Sequence, residues 1–165
     1  MIGMLEIGQG KKNMDLRAHH LLTLSRAHAW GSHQAAWREK FFRRLKSVEC
    51  KILGYDDRRF ADHLVDMALN ILAARVASVT LVDGYDAICE ACPQKGKAEC
   101  HVFGRNWPVG FLAQLDQAIV RNTQGVFDLG KAYPPEYLVK NMAVIRSALR
   151  KTFLELPIIW RRRKT

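Results

Sequence analysis

Apolar residues recur at helical spacing along most of the chain. The clearest stripe runs from Trp37 to Val48, and a second runs from Leu138 to Phe153. Intervals of three and four residues place apolar side chains on one face of a helix, where they can be buried together. The pattern therefore predicts five helices packed around one core, which begin near Asp15, Ser32, Asp56, Asn106 and Tyr133.

One segment has the pattern of a strand instead of a helix. Val76 to Val82 is rich in β-branched residues, and the Asp83-Gly84 pair that follows is typical of a turn. The predicted fold class is mainly α: a single compact domain of about five helices, with one short strand and a cysteine-bearing loop.

The limits of the domain follow from where the regular pattern begins and ends. Residues 1–13 lack periodicity and are predicted to be a flexible N-terminal extension. Residues 14–156 form the predicted domain, and residues 157–165 form a basic C-terminal tail. Because the pattern begins directly after Met14, that residue is a candidate for the natural start of the chain.

Composition indicates a globular protein rather than a membrane protein. The 165 residues are 48% hydrophobic and 25% charged, which is typical of a soluble domain. The most apolar stretch, from Leu64 to Val82, contains charged residues and is predicted to be a buried helix and strand. The N-terminal residues lack an apolar run of signal-peptide length, and four cysteines are too few for a disulfide scaffold. These features predict a cytoplasmic location.

The chain is strongly basic, with a net charge of +10. Part of this charge lies in the tail at Arg161 to Lys164, but the rest of the chain is basic as well. Such a charge favours polyanions: nucleic acid, an acidic membrane surface or an acidic protein partner. The alternative is an ordinary solvated surface. A predicted basic cluster comprises Arg38, Arg43, Arg44, Lys46, Lys51, Arg58 and Arg59.

Three of the four cysteines lie in one polar loop, from Asp83 to Phe103. Cys89 and Cys92 form a CxxC pair, and Cys100 follows. Two cysteines at this spacing can direct both sulfur atoms to one ion, as in zinc sites and iron–sulfur clusters. The spacing alone does not distinguish the two metals. The other interpretations are a set of reduced surface cysteines that bind no metal, or a disulfide.

A histidine is the predicted fourth ligand. His20 lies on the apolar face of the first predicted helix, and it is the preferred candidate, with His19 or His101 as substitutes. The alternative for His20 is a core histidine bonded to the backbone. Cys50 lies at the end of an apolar helix and is interpreted as a small buried hydrophobic residue.

Two motifs together resemble a known family. LRAHHLL at Leu16–Leu22 and VDGYDAICEACP at Val82–Pro93, followed by Cys100, are similar to motifs of a small Cys/His-rich prokaryotic family, domain of unknown function 1284. The resemblance covers about Leu16 to Cys100. The family has no established activity, but its cysteines and histidines suggest metal or iron–sulfur binding. The resemblance implies this role for His19, His20, Cys89, Cys92 and Cys100.

The sequence departs from the family pattern in two places. Thr23 stands where the family has a cysteine, and Leu156–Trp160 carries none of the further cysteines that many members have near a tryptophan. The resemblance therefore implies a site of three loop cysteines and one histidine, rather than a cluster held by four cysteines.

Patterns typical of catalysis are absent from the sequence, which has no Gly-rich phosphate loop, HExxH motif or Ser-His-Asp spacing. We therefore assign no catalytic residues. The predicted function is that of a small cytoplasmic metal-binding protein, with iron–sulfur or zinc held by the CxxC…C loop and a helix histidine. The alternative is a basic nucleic-acid-binding module with a structural metal site.

Overall fold

Helices make up most of the part of the chain that the computed structural model describes, which is residues 10–29, 58–90, 92 and 110–155. This confirms the mainly α class. In chain order, the elements are β1 (Asn13–Arg17), a 3₁₀ turn (Ala18–His20), α1 (Leu21–Ala29), α2 (Arg58–Leu72), β2 (Ser78–Val82), α3 (Ala87–Glu90), α4 (Phe111–Thr123), β3 (Ala132–Tyr133), α5 (Pro135–Lys140) and α6 (Met142–Glu155).

The three strands form one small sheet in the order β1-β2-β3. β1 runs parallel to β2, in a register that pairs Asn13 with Ser78 and Arg17 with Val82. β3 is short and antiparallel to β2. The sequence predicted one strand, β2, so the sheet corrects that part of the predicted fold.

The segment around Leu16 is a strand, which corrects the prediction of a helix that begins near Asp15. Asp15 is exposed and Leu16 is buried, as alternation along a strand requires. Leu16 pairs with Leu81 of β2, and both side chains are fully buried. The chain then makes its 3₁₀ turn, and α1 begins only at Leu21.

Side chains of the sheet and of the helices form a single hydrophobic core. Because β1 and β2 are parallel, the chain between them must cross from one end of the sheet to the other, and α1 and α2 lie on this connection. α1 packs against α2 and α6, and α4 packs against α6. The buried cluster includes Leu16, Leu24, Ile71, Ile119 and Met142. Among the described helices, none combines the length and the apolar character that crossing a membrane requires.

The later helices differ from the predicted ones in detail. α4 begins directly after Gly110, whose φ of 76° is a conformation that favours glycine. The single helix predicted after Tyr133 is divided into α5 and α6 at Asn141. The side-chain amide of Asn141 donates a hydrogen bond to the Tyr137 carbonyl at 2.8 Å. The predicted helix from Trp37 to Val48 and the predicted start near Asn106 lie outside the described residues.

Candidate metal centre

The residues that follow β1 and β2 meet at one edge of the sheet. The 3₁₀ turn after β1 carries His19 and His20, and the short α3 after β2 carries Cys89, with Asp86 directly before that helix. Because the two strands are parallel, their carboxyl ends lie at the same edge. The topology therefore brings together side chains that are far apart in the sequence.

Asp86 accepts four hydrogen bonds. Its Oδ2 atom receives the backbone N–H of Arg17 at 2.7 Å and lies 2.6 Å from Nδ1 of His20. Its Oδ1 atom receives the backbone N–H groups of Ile88 and Cys89, both at 3.0 Å, and so caps the start of α3. Burial would raise the pKa of this carboxyl, but the bonds from His20, Arg17 and Cys89 outweigh burial and hold the pKa well below its usual range.

His20 is buried, with 5% of its surface exposed, and one of its two ring nitrogens is engaged. An ionised carboxylate can only accept, so Nδ1 donates its hydrogen to Asp86. In the tautomer with its hydrogen on Nδ1, the ring has its lone pair on Nε2. Metal-binding histidines are typically oriented in this way, by a carboxylate on the nitrogen that does not bind the metal.

Cys89 is almost completely buried, with 3% of its surface exposed. Burial raises the pKa of its thiol to about 11, and the negative charge of Asp86 contributes to this increase. Without a metal, Cys89 is therefore a neutral thiol at neutral pH. Since the thiolate is the form that binds metals, binding at this residue must release a proton.

His20, Asp86 and Cys89 form a compact cluster of potential ligands. One ligand atom from each of these residues lies within 4.8 Å of the others, and all three side chains are buried. Nitrogen, oxygen and sulfur are the donor atoms that zinc accepts, and histidine and cysteine also bind iron–sulfur clusters. The cluster can therefore hold a metal ion, and it contains two of the ligands predicted from the sequence, His20 and Cys89.

His19 belongs to a second buried network. Asp116 accepts the backbone N–H of His19 at 2.8 Å and its Nδ1–H at 2.9 Å, and it also accepts Nε–H of Arg17 at 2.7 Å. Burial, and after it the neighbouring His20, lower the pKa of His19 to about 4, against the opposing effect of Asp116. His19 is therefore neutral at neutral pH. Its ring centroid lies 4.4 Å from that of His20, with the rings edge to face.

The other predicted ligands are described only in part. Cys92 is half-buried and packs against the core, and its backbone N–H donates to the Cys89 carbonyl at 3.1 Å. This bond closes a turn between the two cysteines of the CxxC pair, but the compact cluster includes Cys89 and not Cys92. Cys100, His101 and Cys50 lie outside the described residues.

Two carboxylates of the site were not predicted. Asp86 lies three residues before Cys89, and this spacing from an aspartate to the first turn of a helix was an available signal. Asp116 is a buried charged residue on the apolar face of α4, between Leu115 and Ile119. A charged residue on such a face is unusual unless it is paired, which was the only signal for its role.

Comparisons of the chain with models of protein families, with curated proteins and with solved structures find no match. The similarity to the Cys/His-rich family therefore rests on the motif residues alone, and membership of that family stays a prediction.

Proposed function

We propose that the protein binds a metal ion or an iron–sulfur cluster at the carboxyl ends of β1 and β2. The observation that carries the proposal is the buried cluster of His20, Asp86 and Cys89. Asp86 pairs with His20, and the thiol of Cys89 beside this pair offers a donor atom that binds a metal once it is deprotonated.

The proposed ligands are Nε2 of His20 and the sulfur atoms of Cys89, Cys92 and Cys100. Asp86 has a different role in this proposal, because four donors already occupy its two oxygens. It orients the ring of His20 and fixes the start of the helix that carries Cys89. We assign no ligand role to His19, because it lies outside the cluster.

The proposed site could hold either a zinc ion or an iron–sulfur cluster. Three thiolates and one imidazole suit tetrahedral zinc, and they also suit a four-iron cluster with one corner that is not a thiolate. The proposed membership of the Cys/His-rich family supports iron–sulfur. Thr23, which replaces the cysteine of the family motif, supports zinc.

Metal analysis of the native protein tests the proposal. We would purify the full chain anaerobically and aerobically, determine zinc, iron and sulfide, and record a visible spectrum of each preparation. Stoichiometric zinc in colourless protein identifies a zinc site, and iron with sulfide in coloured anaerobic protein identifies a cluster. Colourless, metal-free protein from both preparations would refute the proposal.

Two variants test whether the metal lies at the proposed site. His20→Ala should lose most of the bound metal, and His63→Ala is its matched control, because His63 is an exposed histidine on α2. Cys92→Ser should likewise lose more metal than Cys50→Ser, because a serine hydroxyl is a poor ligand where a thiolate is required. Equal metal loss in Cys92→Ser and Cys50→Ser would make Cys50 a ligand and His20 unnecessary.

A further inference from the structure

A cleft of about 450 Å³ opens at the same edge of the sheet as the metal centre. Its lining includes Ala18, which directly follows β1, and Val82 and Asp83 at the end of β2. Ligands of open α/β sheets bind outside the carboxyl ends of the strands. Small-molecule sites have volumes of about 300–1,000 Å³. The position and the size of the cleft are both those of a small-molecule site.

Hydrogen bonds hold the carboxylate of Asp116 on the lining of the cleft. Asp116 lines it although only 8% of this residue is exposed. Its carboxylate is fixed by the backbone and ring of His19 and by Arg17, at distances of 2.7 to 2.9 Å. A site whose polar groups are fixed before binding loses less conformational entropy when a ligand binds.

One wall of the cleft is apolar and open to solvent. Val82, Val120 and Leu129 contribute to it, and 45% of Leu129 is exposed. The exposure of Leu129 is imposed by the backbone, because this residue forms a bridge with Leu81 and the next N–H donates to the Leu81 carbonyl at 2.8 Å. An apolar ligand group on this wall would remove leucine and valine surface from water, which is favourable.

The charges that line the cleft favour a cation. The lining carries three carboxylates and one guanidinium, that of Arg121. Arg17 compensates Asp116, and Glu155 lies 3.8 Å from Arg121. Within the described residues, the charges of Asp83 and Asp128 then remain. Asp128 accepts the backbone N–H of Gly125 at 2.6 Å and the hydroxyl of Tyr133 at 2.9 Å, which are neutral donors. Lys131 exerts a weaker attraction on Asp128.

We propose that this cleft binds a small organic cation, in which an amine pairs with Asp83 and Asp128 while an apolar body packs on Val82, Val120 and Leu129. The amide side chains of Gln117 and Gln124 also line the cleft and can bond polar substituents of such a ligand. The site goes beyond the proposed metal binding and does not require it.

Three probes of similar size and different charge test the proposal: n-butylamine, n-butanol and butyrate. Each would be titrated into the full-length, ¹⁵N-labelled protein, both metal-free and metal-loaded, and followed by amide chemical shifts. We expect n-butylamine to bind more tightly than butyrate by about fivefold, with shifts at Val82, Asp83, Val120 and Leu129. Equal or tighter binding of butyrate, or shifts elsewhere, would overturn the proposal. We expect the same preference in the metal-free protein, because the cleft does not require the metal. A protein that fails to take up metal but still binds the amine would refute the metal centre and leave the cleft standing.

Matched variants test the carboxylate of Asp83 and the apolar wall at Leu129 separately. Asp83→Asn should weaken n-butylamine binding by about threefold to fivefold, whereas Asp15→Asn, at an exposed position of β1, should not change it. Leu129→Ala should weaken both n-butylamine and n-butanol, with Leu154→Ala as the control, because Leu154 is 84% exposed and lies outside the cleft. Unchanged binding by both Asp83→Asn and Leu129→Ala would also overturn the proposal.

Discussion

His19 and His20 are adjacent in the sequence, but a different carboxylate holds each ring. Asp116 holds His19 across 97 residues, and Asp86 holds His20 across 66. The histidine pair and the cysteine pair could be predicted because each forms a short motif. The partner of each histidine could not, because tertiary contacts select it. Those contacts also place His20, rather than His19, in the cluster with Asp86 and Cys89.

Replacing Asp86 by asparagine should weaken metal binding by about tenfold to a hundredfold. The amide side chain has one acceptor oxygen where the carboxylate has two. Either Nδ1 of His20 or the N–H groups at the start of α3 therefore lose their charged acceptor. Competition with a chromophoric chelator would measure the affinity, with Asp15→Asn as the control. Thermal melting of the metal-free variants would separate lost positioning from lost folding. Unchanged affinity in Asp86→Asn would contradict the orienting role.

The two cysteines of the CxxC pair should differ in reactivity in the metal-free protein. Cys89 is buried and the pKa of its thiol is raised to about 11, whereas Cys92 is half-buried. Because alkylation requires an accessible thiolate, iodoacetamide should modify Cys92 well before Cys89 in the folded protein. Mass spectrometry of tryptic peptides at successive times would measure both rates. The difference should vanish in urea, and its absence in the folded protein would contradict the burial of Cys89.

Among the elements, β1 and β2 determine where the site lies, and only β2 was predicted. β2 has a run of β-branched residues that is evident locally. β1 has the sequence NMDLR, which carries no such run, and its backbone partner is a strand about 65 residues further along the chain. α4 and α6 were predicted more closely, because helical periodicity is a local signal, whereas the short α3 lies in the segment that was predicted to be a loop. Because β1 was not predicted, its parallel pairing with β2 could not be predicted either. The proximity of the histidine pair to the cysteine pair follows from that pairing.

Replacing Leu16 by alanine tests the place of β1 in the core. Leu16 is fully buried on β1, so its truncation should lower the free energy of unfolding by about 2–5 kcal/mol. Met14 is only partly buried on the same strand, and Met14→Ala should cost clearly less. Urea unfolding of both variants would give the two values. An equal or smaller cost at Leu16 would contradict its position in the core.

For the whole molecule, the net charge of +10 still predicts attraction to polyanions. The basic cluster on which a nucleic-acid-binding module would depend lies outside the described residues, apart from the backbone of Arg58 and Arg59. We therefore expect retention on a nucleic-acid column only at low salt, as non-specific attraction produces. Sequence-selective binding that survives higher salt would instead favour the nucleic-acid-binding module with a structural metal.

Acidification should destabilise the metal-free protein between about pH 6.5 and pH 4. Burial lowers the pKa of His19 to about 4 in the folded state, from an ordinary value of 6.5. Over that range the unfolded chain binds a proton that the folded protein does not, so the free energy of unfolding decreases as the pH falls. The difference in pKa corresponds to about 3 kcal/mol at the lower end of the range.

Urea unfolding at a series of pH values would measure this effect in the metal-free chain. His19→Gln should remove most of the pH dependence above about pH 4, because glutamine cannot take up a proton and its amide can still donate to Asp116. His63→Gln, at an exposed position, should leave the dependence unchanged. The carboxylates Asp86 and Asp116, whose pKa values are held low, contribute stability that is lost only at still lower pH. A wild-type stability that stays constant down to about pH 4, or an equal flattening in His63→Gln, would contradict the burial of a neutral His19.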